Sequence, residues 1–252
     1  MKKSQLAAQL YTLRDYLKTA GGVDRALARV RAMGYEAVQV SGVAAPLSAV
    51  KKAADDNGLA ICATHADNDA LLNNPEVVVE QLDVLNCRHT AFACAEGWRL
   101  LEYDGVLEFA GLLEKAALTL GKAGISLSYH NHNMEFAKFK GEFILDLILR
   151  NAPHLYAEID TYWVAMGGCD PAEWIKKYAE REPLLHLKDF GIRPFSSTTE
   201  TVGKGNLRWE TIVPAAEAAG VEWFIVEQDS CDGDPFTCLR ESFDYLTGRF
   251  VR

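Results

Sequence analysis

The 252-residue sequence lacks any apolar run approaching the ~18 residues that cross a bilayer as a helix, so a transmembrane reading is excluded. It also lacks the apolar core and small-residue cleavage site of a secretory leader. Met1-Lys2-Lys3-Ser4-Gln5 instead runs into a short mixed segment with Gln5 and Gln9 inside it. The six cysteines (Cys62, Cys87, Cys94, Cys169, Cys231 and Cys238) contain no CxxC pair and no regular framework. That fits thiols in a reducing compartment better than disulfides, and a cytoplasmic location is expected. Basic residues are in deficit: 26 Lys and Arg stand against 35 Asp and Glu, for a formal net charge of -9. The basic residues are also scattered, a poor match for a phosphate backbone, so neither nucleic acid nor membrane is expected as a partner.

Other absences narrow the fold and the chemistry. No Pro/Ser-rich linker, charge block or low-complexity tract divides the chain, so residues 1–252 are expected to form one domain. The segment after the first candidate strand, Gln9-Leu10-Tyr11-Thr12-Leu13-Arg14, has no glycine, which argues against the GxGxxG turn of a dinucleotide-binding open sheet. Without a GxSxG elbow, Ser128 and a nearby His do not make a nucleophilic triad. Gly203-Lys204-Gly205 resembles a fragment of a phosphate loop but lacks GxxxxGK[ST]. A flexible active-site loop is the better expectation, with phosphate contact as the lesser one.

What is present is ordinary globular material, 49% hydrophobic and 24% charged, carrying one recurrent joint. A helical stretch, a Gly and a short apolar run recur at Gly34, Gly58, Gly124 and Gly220. Glycine there supplies the left-handed residue that ends a helix. The apolar runs Ala37–Val40, Leu59–Cys62, Ile125–Ser128 and Trp223–Val226 follow at once. Further strand candidates lie near Leu6–Gln9, Thr90–Ala93, Leu155–Ile159 and Leu184–Leu187, which brings the total to eight. Between them the clearest helix runs from about Glu102 to Lys122. Val106, Phe109, Ala110, Leu113, Ala117 and Leu120 form its buried stripe, a core face rather than a cofactor box. Asn74-Pro75 and Asp170-Pro171 each place an N-cap before a first-turn proline. Eight strands alternating with helices, in a length near the roughly 250 residues of the type, predict an α/β fold, a (β/α)8 TIM barrel. A doubly wound open sheet is the main competitor.

In such a barrel the chemistry lies where strands end, and polar residues terminate six of the eight apolar runs. These are Gln9, Tyr11 and Arg14; Thr64 and His65 to Asp67; His130 to Asn133; Glu158 and Asp160; His186, Lys188 and Asp189; and Glu227 to Asp229. Period two puts Glu158 with Asp160, His130 with His132, and His186 with Lys188. A single His after a strand is more often a satisfied hydrogen-bonding residue than a ligand. Carboxylates and imidazoles converging from neighbouring strands are different, because buried carboxylates repel unless a cation or raised pKa values compensate them. The oxygen and nitrogen donors suit Mn, Co, Zn or Mg, and no thiolate is among them. Trp163 reads equally as a stacking platform for a sugar ring or as packing.

These residues carry a resemblance. Gln9-Leu10-Tyr11-Thr12-Leu13-Arg14, Tyr129-His130-Asn131-His132, Asp160-Thr161-Tyr162-Trp163, His186-Leu187-Lys188-Asp189, Gly203-Lys204-Gly205 before Trp209, and Val226-Glu227-Gln228-Asp229 resemble the xylose isomerase-like TIM-barrel superfamily. The closest branch is that of sugar phosphate isomerases and epimerases, and the match runs from the first strand to the last. The resemblance implies a divalent ion held by a Glu, an Asp, a His and a Glu after strands five to eight. Asp160, His186 and Glu227 take the last three places. His130 stands where many relatives have Glu, and Glu158 could supply the missing carboxylate, as ligand or as base.

The implied chemistry is enolisation of a sugar or keto-sugar, the ion polarising a carbonyl. Glu227, Glu158 and His132 are candidate bases, Lys188 stabilises the oxyanion, and Tyr11, Arg14, His65 and Trp163 are candidate substrate contacts. Isomerase or epimerase is the leading expectation. A dehydratase or lyase acting on a keto-sugar, an inosose or a 3-keto-glycoside is the rival, and a non-catalytic sugar-binding barrel comes third. Endonuclease IV-like relatives use more His and acidic ligands, and the net charge argues against DNA. The lack of an Arg/Lys cluster favours an unphosphorylated substrate, and barrels of this kind often associate as homo-oligomers.

Overall fold

The computed structural model describes residues 1–252. In chain order the strands are β1 (Leu6–Gln9), β2 (Ala37–Val40), β3 (Ala60–His65), β4 (His89–Phe92), β5 (Ser126–His130), β6 (Lys138–Phe139), β7 (Glu142–Phe143), β8 (Tyr156–Asp160), β9 (Leu184–Leu187), β10 (Asp189–Arg193), β11 (Ser196–Glu200) and β12 (Trp223–Val226). A closed barrel forms in the order β1-β12-β9-β8-β5-β4-β3-β2, every pairing parallel. Parallel neighbours need long crossovers, which the intervening helices provide, and the result is the expected (β/α)8 architecture.

All four joint glycines have positive φ, from 63° at Gly58 to 109° at Gly34. The long helix spans Tyr103–Lys122, and every residue of its expected stripe is buried. Asp170 caps its helix through the amides of Ala172 and Glu173. Asn74 departs from expectation: Pro75 opens the next helix, but the Asn74 side chain makes no cap bond. The remaining additions are two antiparallel hairpins, β6-β7 and β10-β11, in stretches where no strand was expected. Short polar β-branched runs such as Ser196-Ser197-Thr198-Thr199 carry no apolar alternation from which a strand could be read. No helix is long and apolar enough to cross a membrane.

The apolar core is split by the barrel wall. A cluster of 67 buried residues lies mainly between strands and helices, whereas the separate cluster of six contains only Ala7, Ala37, Cys62, Ala63, Leu184 and Ile225. With so little apolar filling inside, the upper interior is left to polar side chains. Gln9, Gln39, Ser128, His130, Glu158, Asp160 and His186 are all buried.

Candidate metal centre

The strand ends converge on a cavity of about 350 Å³ lined by Tyr11, Arg14, Ser41, His65, Ala93, Cys94, His130, His132, Trp163, Lys188, Glu227 and Asp229. Asp160, His186 and Glu158 lie beneath that lining, fully buried. Parallel register explains the convergence, since His130 is level with Glu158 across β5-β8 and Asp160 with His186 across β8-β9.

Two overlapping donor groups result: His130, Asp160, His186 and Glu227, and below them His65, His130, Glu158 and His186. In the upper group His186 Nδ1 lies 2.9 Å from Glu227 Oε2 and 3.8 Å from Asp160 Oδ2, and His130 Nε2 lies 3.9 Å from Asp160 Oδ2. Asp160 Oδ1 accepts the Trp163 amide, as a helix cap. Asp160 Oδ2 is buried with no hydrogen-bond partner at all. With Lys188 Nζ 3.4 Å from it, this oxygen stands among two imidazoles and a second carboxylate, a donor set that could hold a divalent ion.

In the lower group every oxygen is already engaged. Gln39 Nε2 donates to Glu158 Oε1 at 2.6 Å, and the His65 ring contacts Glu158 Oε2 at 2.7 Å. Gln39 Oε1 meets His186 Nε2 at 2.7 Å and accepts from Gln9 Nε2 at 2.7 Å. Gln9 and Gln39 had no assigned role in the sequence, although a glutamine inside the apolar run Ala37–Val40 is a visible signal.

Charges are balanced within the cluster. Lys188 Nζ sits 2.6 Å from Asp229, 3.1 Å from Glu227 and 3.4 Å from Asp160. Burial alone would push the Glu227 carboxyl up, but Lys188 and His186 outweigh it and hold it well below the usual range. Burial likewise opposes charge on His186, yet Glu158 and Glu227 raise it to about 10. Asp160 goes the other way: desolvation lifts it to about 7 in spite of Lys188 and His186. Burial pushes His132 down to about 4, which leaves a neutral imidazole on the cavity wall. Its ring packs 4.9 Å from that of Trp163. Asp229 was named only as part of a strand end. The same period-two rule that pairs His186 with Lys188 places Asp229 on the face of Glu227.

Arg14 stacks over Tyr11 at 4.4 Å and gives its two terminal nitrogens to the carbonyls of Tyr11 and Asp229. It thereby ties the loop after β1 to the loop after β12.

The Gly203-Lys204-Gly205 loop is corrected. It does not line the cavity, and Lys204 turns outward to Glu241 at 2.7 Å. The amides of Gly203, Gly205 and Leu207 and the Trp209 indole donate to the Asp189 carboxylate at 2.8–3.2 Å. At Gly205 an added Cβ would sit 2.4 Å from Asp189 Oδ1, so glycine is required by the side chain the loop wraps. The loop is a structural nest for Asp189, not a phosphate cradle.

The sequence profile of the xylose isomerase-like TIM barrel family matches residues 27–248. Among solved structures, a sugar phosphate isomerase/epimerase from Parabacteroides distasonis is 24% identical, covers 100% of this chain and 96% of its own, and superposes with a TM-score of 0.82. A second from the same organism is 25% identical over 98% of this chain and 99% of its own, with a TM-score of 0.79. A probable 3-DHS dehydratase from Bacillus anthracis shares the barrel at 12% identity, covering 99% of this chain and 100% of its own, with a TM-score of 0.73. No curated protein sequence matches the chain.

Proposed function

Because the chain belongs to the xylose isomerase-like TIM-barrel family, we propose that it is a divalent-metal-dependent isomerase or epimerase of a sugar or keto-sugar. The observation that carries this reading is the buried Asp160 Oδ2, which accepts no hydrogen bond and lies 3.4 Å from Lys188 Nζ, facing His130, His186 and Glu227 at the floor of a polar cavity. Those four residues would hold the ion. When bound, it supplies Lewis acidity to a substrate carbonyl and acidifies the neighbouring C–H.

The rest is work for the side chains. Glu227, ionised and lining the cavity, takes the proton from carbon, with the neutral His132, which lines the same cavity, as the second candidate base. Lys188, fixed by three carboxylates, presents its charge to the oxygen that becomes negative as that proton leaves. Tyr11 and Trp163 offer aromatic faces to the ring or chain of a sugar. His65 and Arg14 complete the rim. The two cations nearest the cavity, Lys188 and Arg14, are already engaged by carboxylates and carbonyls, which favours an unphosphorylated substrate.

One observation favours elimination as the second reading. With His130 at the fifth barrel strand, the carboxylates that line the cavity are Glu227 and Asp229, both from the end of β12, beside the imidazoles of His65, His130 and His132. A site without a second carboxylate base for reprotonation suits loss of a β-hydroxyl or a glycosidic oxygen from a keto-sugar, with Glu227 taking the proton from carbon. Metal content of the purified protein, followed by proton NMR in D2O with ketoses and 3-keto-sugars, tests both. Bound metal with deuterium entering a carbon beside the carbonyl is expected, and the product separates isomerase from lyase. No metal and no exchange would leave a sugar-binding barrel and overturn the proposal.

A further inference from the structure

The two donor groups share His130 and His186, and each ring shows a different nitrogen to each group. His130 turns Nε2 toward Asp160 and Nδ1 toward Glu158, the latter at 3.3 Å and without a hydrogen bond, so this nitrogen is buried with Glu158 as its nearby acceptor. His186 turns Nδ1 toward Asp160 and Glu227, and Nε2 toward Glu158 and Gln39, at 3.4 and 2.7 Å. An imidazole that binds an ion through one nitrogen keeps a proton on the other, and that N–H needs an acceptor. One carboxylate therefore underlies both rings and reaches His65 as well, at 2.7 Å.

The lower group is the support rather than the ion site, because its oxygens already accept hydrogen bonds while Asp160 Oδ2 above has none. We propose that Glu158 is a positioning residue: with Gln39 it fixes the tautomers of His130 and His186, so that both rings present a lone pair to the cavity. The proposal rests on the metal reading above. It also explains how an imidazole serves at the fifth barrel strand. A neutral imidazole brings no negative charge to the donors, and Glu158 supplies one a layer below. A carboxylate accepting the distal N–H makes the imidazole a stronger donor, so position and basicity are corrected together.

The test is Co(II) titration of the metal-stripped full-length protein, followed by its visible absorption bands. Wild type is expected to bind one equivalent, and Glu158→Gln to bind roughly 10–100-fold more weakly with the same band shape at saturation. Glu158→Asp, which keeps the charge, should recover part of the loss. It also serves as the readout if the amide variant folds poorly by circular dichroism. In a His130→Glu background, where two carboxylates would face each other and only His186 still depends on the support, Glu158→Gln should weaken binding clearly less than it does in wild type. A merely structural role would not depend on residue 130. Unchanged affinity in Glu158→Gln overturns the proposal, and so does a saturated spectrum showing one donor fewer, which would make Glu158 a ligand. Wild type that binds no Co(II) overturns the metal reading, a result distinct from either.

Discussion

Two glutamates at opposite ends of the barrel are equally removed from water and behave in opposite ways. Glu158, on β8 below the cavity, is 0% exposed; Glu182, two residues before β9 at the other end, is 2% exposed. Burial pushes both carboxyls upward. At Glu158 the charges of His186 and His65 and the hydrogen bonds of the neighbouring imidazoles outweigh it, and the carboxyl falls well below its usual value. At Glu182 nothing opposes burial. Neither oxygen has a hydrogen-bond partner, and the carboxyl rises well above its usual value. The difference shows what the cavity end has that the other lacks: not carboxylates, but an array of cation-capable nitrogens that holds Glu158 and Glu227 ionised, while Asp160 in the same array is still lifted to about 7 by burial.

Breaking that array at its centre should have the largest effect. His186→Ala removes the imidazole between Glu158, Asp160 and Glu227. Metal content should fall to none, and the loss of a buried charge partner should cost about 3–5 kcal/mol in urea denaturation. Retained metal at wild-type stoichiometry would remove His186 from the ligand set. Lys188→Met is expected to do less. Asp160 and Glu227 keep His186, so metal should remain, while turnover drops on the order of 10²–10³ with the lost electrostatic stabilisation. Full activity would show that the Lys188 ammonium serves only as a counter-ion for Asp229.

The sequence displayed the array better than it displayed its support. Alternation put Glu158 with Asp160, His130 with His132 and His186 with Lys188 because a period-two pattern is local, and the glycine joints marked strand starts to within one or two residues. What local pattern could not show was which buried oxygen is already satisfied. Glu158 and Asp160 look alike in the segment Glu158-Ile159-Asp160, and only the approach of Gln39, Gln9 and His65 from three other strands separates support from ligand. Asp189 deceived for the same reason. Next to Lys188 it reads as part of the site, yet its partners lie 14 to 20 residues onward in the glycine loop. Glu182 was illegible altogether: Arg181-Glu182-Pro183 has the composition of a solvated turn.

The smallest effect isolates the lone end of the comparison. Glu182 has a folded pKa above its ordinary 4.5. Its contribution to stability is therefore fully present below that value, where the carboxyl is protonated in both folded and unfolded chains. It is lost as pH rises toward the folded value, because only the unfolded chain releases the proton. Glu182→Gln keeps the shape and does not titrate. The melting temperature of the variant relative to wild type should thus be flat below pH 4.5 and climb above it. The climb should be about 1.4 kcal/mol per pH unit, roughly 3–6 °C for a chain of this size, until the folded carboxyl itself ionises. Any fixed penalty of burying an amide shifts the whole curve without changing its slope, so the slope is the measurement. A difference independent of pH between 4 and 8 would mean that Glu182 finds a partner in solution, and the contrast with Glu158 would then be one of degree. A climb would establish that burial by itself neutralises a carboxylate in this barrel, leaving the imidazoles and Lys188 as the reason Glu158 and Glu227 do not follow.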